Sequence, residues 1–523
     1  MYVSPSGNDA AAGSASAPLR TLRHAVDVAP SGSTIVLRAG TYHEQVEIPA
    51  TKSLTVQAYP HEAAWLDGSS AVSSWTQQGS TWVHEGWTAQ FDSTAGYSAS
   101  SATNTAPGWG FVNAAYPMAA HPDQVWVGGV ALRQVGSAAA VTAGTFYADY
   151  AGKRLIIGSD PSGHDVRASD VELALTSRSP NTTIRGLGVR RYATPVPDMA
   201  TVRLIGTNDR LENVVVTDNA TQGITALATH ITASHVTTQN NGLLGMHANY
   251  ADGLVVDHVL AQHNNLEHFN FAPVAGGLKF SRTRGITVSD TVSRDNIGTG
   301  LWLDESCYNA TVVRNDLVDN QGHGMSFEIS ATGILADNTV TGNGQDGFKI
   351  NDTNHVQIWN NTLGGNRRDI ELVQDTRHAS DLSIPGHDPR QQLPDPTMTW
   401  ILGDIDVFDN AFGQQSPRDY QVYARDYTGQ HAPAQLDISV DNDLFTKPQS
   451  TGQVEIVWGG TPGEVTTYRS IATFDAATGW TNLDAAVGQT PPASTLSQLA
   501  RPLSATIAAA IGQPANTRHI GAF

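Results

Sequence analysis

The sequence predicts an all-β protein, a right-handed parallel β-helix with a β-sandwich-like domain inserted in it and a capping helix at its N-terminal end. Three observations carry that expectation. An Asn-x-x-x-Gly pattern recurs through the middle of the chain, short β-branched runs such as "LENVVVTDN" and "LADNTVTGN" precede its Asn residues, and charged residues make up only 15% of a Gly-, Pro- and Ser-rich composition. The pattern falls at Asn219/Gly223, Asn241/Gly245, Asn296/Gly300, Asn320/Gly324 and Asn343/Gly347, and Asn265 and Asn366 extend it. Successive Asn residues lie 22 to 24 positions apart, except for one interval of 31. A single coil of that length cannot bury its apolar side. Stacked coils make a continuous core, and their turn amides can hydrogen-bond from one coil to the next. Leucine-rich repeats fit poorly, because the L-x-x-L-x-L frame is missing.

The elements follow in chain order. Residues 1–71 read as a cap and first coils: "YVSPSGND" is a strand and turn, and Leu19, Leu22, Ala25 and Val26 space a short amphipathic helix closed by Pro30 and Gly32. Over 72–178 the period is lost, and Trp75, Trp82, Trp87, Trp109 and Trp126 crowd among strand-like runs, which marks the inserted domain. Residues 179–465 are the main β-helix, and 466–523 a tail docked on it.

Composition excludes several functions. A net charge of −19 opposes nucleic acid or an anionic membrane as partner, and no apolar run reaches the roughly 20 residues of a membrane span. One cysteine, Cys307, excludes a disulfide framework or a Cys-based metal site. The N-terminus has no basic-then-apolar leader, which fits a mature segment of a secreted protein, with a cytoplasmic chain as the alternative.

Alternation along the strand after each Gly sets the register. Leu278, Leu301, Met325, Phe348 and Ile370 point inward, as do Phe280, Leu303, Phe327, Ile350 and Leu372. The outward rows are then Thr225, His247, Lys279, Trp302, Ser326, Lys349 and Glu371, and beside them Asn249, Ser281, Asp304, Glu328 and Asn351. This puts Asp304 and Glu328 on neighbouring coils with backbones about 4.8 Å apart. Their carboxyls are expected near the roughly 5–5.5 Å of a retaining glycosidase, short of the wider gap of an inverting one. Like charges that close raise one pKa, as a general acid requires.

Other residues gather as candidate substrate contacts. Trp302 offers a plate for a sugar ring, and an insertion, "LEHFNFAPVAG", brings Glu267 and His268. Lys279 is a charge partner for Asp304 or a ligand contact, His247 reads as a solvated surface residue, and Asn249, Lys349 and Glu371 complete the rows. A second insertion after Glu371 makes 266–276 and 374–397 the expected walls.

"YVSPSGND...PLRTLRHAVDVAPSGSTIVLRAGTYHE" resembles the opening of many pectin-lyase-like β-helix carbohydrate enzymes. "GLWLDES" and "GMSFEIS", one coil apart, resemble the catalytic core of family 120 glycoside hydrolases, the β-helix β-xylosidases, which also carry a β-sandwich insertion. The resemblance implies Asp304 as nucleophile and Glu328 as acid/base of a retaining, exo-acting hydrolase of oligo- or polysaccharides. No cofactor is required on that reading; a structural Ca²⁺ and a homo-oligomer are both allowed. One alternative is a polysaccharide lyase with Ca²⁺ on Asp304, Glu328 and Glu305, and Lys279 or Arg282 as base. Another is a carbohydrate-binding solenoid without turnover.

Overall fold

The computed structural model describes residues 1–97, 110–413, 420–447, 453–459, 465–486, 489 and 491–523, and Trp109 lies outside them. The chain divides into two units, 1–247 with 263–275, and 248–262 with 276–523.

In the first unit the helix Leu22–Val28 starts at Thr21, whose hydroxyl accepts the His24 N–H, and it buries Leu22, Ala25 and Val26. Leu19 is not on this helix as expected. It lies ahead of the cap and bridges Val3. Short parallel strands then stack coil on coil. Val46–Ile48 pairs with Leu175–Ser177, which pairs with Val202–Leu204, and that strand with Gln222–Ala226. Leu175–Ser177 therefore belongs to the coils, so the solenoid resumes before residue 178.

Between these coils, the eight strands from Ser69–Ala71 to Val166–Ser169 form one sheet, antiparallel except where Arg133 and Gln134 run parallel to Thr145 and Phe146. Its apolar cluster gathers Val125, Leu132, Phe146, Leu155 and Ile157, and Trp75, Trp82 and Trp87 pack on it.

The amide ladder exists, with one correction. Asn219 Nδ2 donates to Asn241 Oδ1 at 2.9 Å, and Asn241 Nδ2 to Asn264 Oδ1 at 3.0 Å. The ladder residue is thus Asn264, not Asn265. Asn265 takes a positive φ of 67° and exchanges two side-chain hydrogen bonds with the Phe269 backbone, closing the next turn. Counting residues cannot separate adjacent asparagines whose roles differ only in backbone conformation.

In the second unit two ladders run in parallel. One joins Asn296, Asn320, Asn343 and Asn366; the other joins Asn315, Asn338, Asn361, Asn410 and Asp443. They explain the glycines of the repeat. A Cβ on Gly300 would stand 2.6 Å from Asn320 Nδ2, and one on Gly324 2.8 Å from Asn343 Nδ2. Each coil's Gly makes room for the next coil's amide.

The expected inward rows are all buried: Leu278, Leu301, Met325, Phe348 and Ile370, with Phe280, Leu303, Phe327, Ile350 and Leu372. Parallel strands continue beyond residue 465, since Leu483–Ala486 pairs with Leu444–Lys447. Of the tail, the helix Ala505–Ile511 packs Ile507, Ala508 and Ile511 on Val313, Ala336, Trp359 and Phe408.

Candidate active site

The second unit's strands Gly276–Ser281, Thr299–Asp304, Met325–Glu328, Asp346–Asn351 and Arg368–Gln374 lie side by side in register. Ser281 pairs with Asp304, Leu303 with Phe327, and Glu328 with Asn351, so Asp304 and Glu328 occupy one row on adjacent coils. In the neighbouring row Lys279 pairs with Trp302, Trp302 with Ser326, Ser326 with Lys349, and Lys349 with Glu371.

These rows are far less open than strand alternation alone predicts. Asp304 and Glu328 are each only 7% exposed, and Lys279, Ser326 and Glu371 are buried too. The loop that follows Gln374 accounts for part of the cover. Its Ala379, Met398 and Trp400 form a cluster with Ile329 and Ala331, and its Arg390 reaches Asp388 and Asp252.

Each acid has its own cations. Lys279 Nζ lies 2.7 Å from Asp304 Oδ2, and the Glu305 N–H donates to Asp304 Oδ1 at 2.8 Å. Glu328 Oε1 takes Arg377 Nη2 at 2.7 Å, and Lys349 Nζ stands 3.5 Å from Oε2. Arg377 is itself fixed by Asp352 at 3.0 Å and Asp375 at 2.8 Å. Burial raises the Asp304 carboxyl above its ordinary value, with Lys279 opposing and the Glu328 charge reinforcing the rise. Burial would raise Glu328 as well, but Lys349 and Arg377 outweigh it and hold that carboxyl below its ordinary value. Two cations against one decide the order. Of the two, Asp304 is the carboxyl that protonates first as pH falls, the reverse of what an acid at Glu328 requires.

Further along the row, Glu371 takes Arg368 Nη1 at 2.6 Å and hydrogen-bonds Asp346, and burial with the Asp346 charge pushes Glu371 upward. His323 Nδ1 lies 2.9 Å from Asp346. Burial and the neighbouring Asp375 push Asp352 up to about 8.

Trp302 does not offer a bare plate. The Lys279 ammonium sits 3.5 Å from the centre of its ring. Among the described residues its buried Nε1, and the buried Ser326 Oγ one coil on, have no hydrogen-bond partner. Both are donors left over beside the acid pair. Asn249 Oδ1 is likewise buried without a partner.

His247, expected on the solvated surface, is 4% exposed; in the first unit its Nδ1 lies 3.3 Å from the Thr225 hydroxyl, beside the Tyr97 ring. Glu267 and His268 also belong to the first unit, in the turn that Asn265 closes.

The residues that sequence reasoning missed are Arg377, Arg368, Asp346, Asp352, Asp375 and His323. Arg377 sits in the insertion after Glu371, where no strand register fixes a side chain. Asp346 could have been flagged, since it opens the strand that carries Lys349.

The Ca²⁺ set of the lyase alternative does not fit. Glu305 has left the row, with a φ of 53° and its carboxylate 2.7 Å from Arg282, and the Asp304 and Glu328 oxygens already face Lys279, Lys349 and Arg377. A divalent cation there would meet three ammonium or guanidinium charges. Neither proposed base is free, since Lys279 holds Asp304 and Arg282 holds Glu305.

Known proteins share this architecture. A family model described as a right-handed β-helix region matches residues 200–363, and one described as a protein of unknown function, DUF1565, matches residues 5–49. Pectate lyase PEL9 of Emericella nidulans is 47% identical over 74 residues, 13% of this chain and 18% of that protein. The uncharacterized protein YwoF of Bacillus subtilis is 36% identical over 78 residues, 14% of this chain and 17% of its own. Each match thus spans less than a fifth of the curated relative. The solved structure of XylC in complex with xylose superposes with a TM-score of 0.68 at 13% identity, covering 94% of this chain and 86% of that one. The chain is a right-handed parallel β-helix.

Proposed function

We propose that this chain is a carbohydrate-active enzyme, a retaining, exo-acting glycoside hydrolase of β-xylosidase-like specificity, with Asp304 and Glu328 as its reacting pair. The observation that carries this reading is the register. Two buried carboxyls one coil apart, on strands about 4.8 Å apart, favour the short carboxyl separation of retention over the wider gap of inversion. The fold shared with the XylC–xylose complex supports a sugar substrate.

On this reading Asp304 attacks the anomeric carbon while Glu328 gives its proton to the leaving glycosidic oxygen. Water, deprotonated by Glu328, then displaces Asp304 and releases the sugar with its configuration kept. Trp302 Nε1 and Ser326 Oγ donate to sugar hydroxyls, which gives both unpaired donors a partner. The residues in this scheme need no metal.

A second reading exchanges the two roles, and the charges favour it. Arg377 and Lys349 favour an anionic Glu328, as a nucleophile must be, while burial makes Asp304 the more readily protonated of the two.

One experiment separates these readings. Asp304→Ala and Glu328→Ala are assayed on aryl β-xylosides with good and poor leaving groups, with azide added. The acid/base variant keeps its first step on good leaving groups, and azide gives a β-glycosyl azide. The nucleophile variant is inactive on both, and azide gives the α-product. Wild-type rates in both variants, or an α-sugar as the wild-type product by proton NMR, would reject a retaining pair.

A further inference from the structure

The first unit holds a feature the proposed reaction leaves unused. A pocket of about 380 Å³ opens where the insert meets the coil turns that carry Asp218, Asn240 and Glu267. That volume belongs to the range of small-molecule sites. Its walls divide by chemistry. Met118, Leu132 and Val135 give an apolar side, and the Tyr116 ring stacks on His268, centroids 4.2 Å apart and planes within 14°.

Two acceptors on the lining lack donors. Gln134 is buried, spends its Nε2 on Asp123 at 3.2 Å and leaves its Oε1 with no partner. The Glu267 carboxyl has no hydrogen-bond or ion-pair partner among the described residues. Burial pushes that carboxyl up to about 7, with Arg133 pulling the other way. The sheet does not need these groups, for its core closes on the apolar cluster. A side-chain oxygen without a donor, on a residue that lines a cavity, is what a ligand hydroxyl would satisfy.

We infer that this pocket binds a neutral saccharide of one or two rings, with an apolar ring face on the Tyr116–His268 stack and hydroxyls bonded to Gln134 Oε1 and the Glu267 carboxyl. Charge selects the neutral class. An anion would meet Asp218 and Glu267, and a cation would meet Arg133, while hydroxyls serve every polar group on the lining. The site rests on the pocket alone and stands whether or not the hydrolase reading does.

The test uses the full chain carrying Asp304→Asn, so that probes are not turned over. Xylobiose, cellobiose and maltose are titrated by calorimetry at neutral pH, with galacturonate and spermidine as charged probes. At least one disaccharide is expected to show a binding event that Leu132→Trp, which fills the pocket, abolishes. Gln134→Leu should weaken the same event about tenfold, the value of one good hydrogen bond. Circular dichroism and melting establish that each variant is folded; if Leu132→Trp is not, Gln134→Leu carries the test. The inference is overturned if no disaccharide binds, if binding is the same in the parent and the folded variants, or if only galacturonate or spermidine depends on the pocket.

Discussion

In the second unit Leu303 and Phe327 point into the solenoid, while Asp304 and Glu328, one residue later on the same strands, point out. The inward row is held by neighbours of its own kind, coil on coil. The outward row is held by residues from elsewhere: Lys279 from the coil before, Lys349 from the coil after, and Arg377 from a loop 49 residues on. One row is written by a repeat. The other is assembled from single residues, so the two should fail differently.

The largest expected effect separates chemistry from fold. Asp304→Asn or Glu328→Gln should lower kcat on an aryl β-xyloside by about 10⁴-fold or more, with the thermal transition still cooperative. Comparable rates in the variants would erase the distinction between the rows.

Next comes the inward neighbour. Phe327→Ala leaves a cavity under the site and should cost about 3–5 kcal/mol in urea unfolding. Ser326→Ala, adjacent on the outward row, should change stability by less than about 0.5 kcal/mol while raising KM.

Asn320 tests the ladder. It donates to Ser293 O at 3.0 Å and Asn343 Oδ1 at 3.1 Å, and accepts from Asn296 Nδ2 at 2.9 Å. Asn320→Ala strands buried partners on both sides and should cost about 2–4 kcal/mol.

Arg377→Met sharpens the electrostatic half. Its positive charge helps hold Glu328 below its ordinary pKa, so the limb of the kcat/KM profile that Glu328 governs should move to higher pH, the alkaline limb where Glu328 is the acid/base and the acidic limb where it is the nucleophile. An unmoved limb would mean that Arg377 does not set the Glu328 charge.

A further effect is on the fold's own pH dependence. Burial raises Asp209 to about 6, Asp409 to about 7 and Asp352 to about 8. Carboxyls raised by folding bind protons in the native state between the ordinary carboxylate range and these values. Stability should therefore rise as pH falls from about 8 towards 5, seen as a higher melting temperature at pH 6 than at pH 8.5.

Legibility follows the same division. The Asn-x-x-x-Gly period, the inward rows and the Asp304–Glu328 register could be read from the chain because each rests on one local rule, strand alternation or room for a ladder amide. The rule broke where two candidates sat side by side, at Asn264 and Asn265, and where an element boundary had no period to mark it, at Leu19 and at Leu175–Ser177.

By itself the sequence determined the coil and which residues share a row, since neighbours in a parallel stack are a fixed number of residues apart. Tertiary structure alone decided what surrounds the pair. Arg377, with Asp352 and Asp375 behind it, reaches Glu328 from a loop without period, and Lys279 covers the Trp302 ring. Charge depends on distances in space, and a loop's distances are fixed by its packing on Ile329, Ala331 and Trp400.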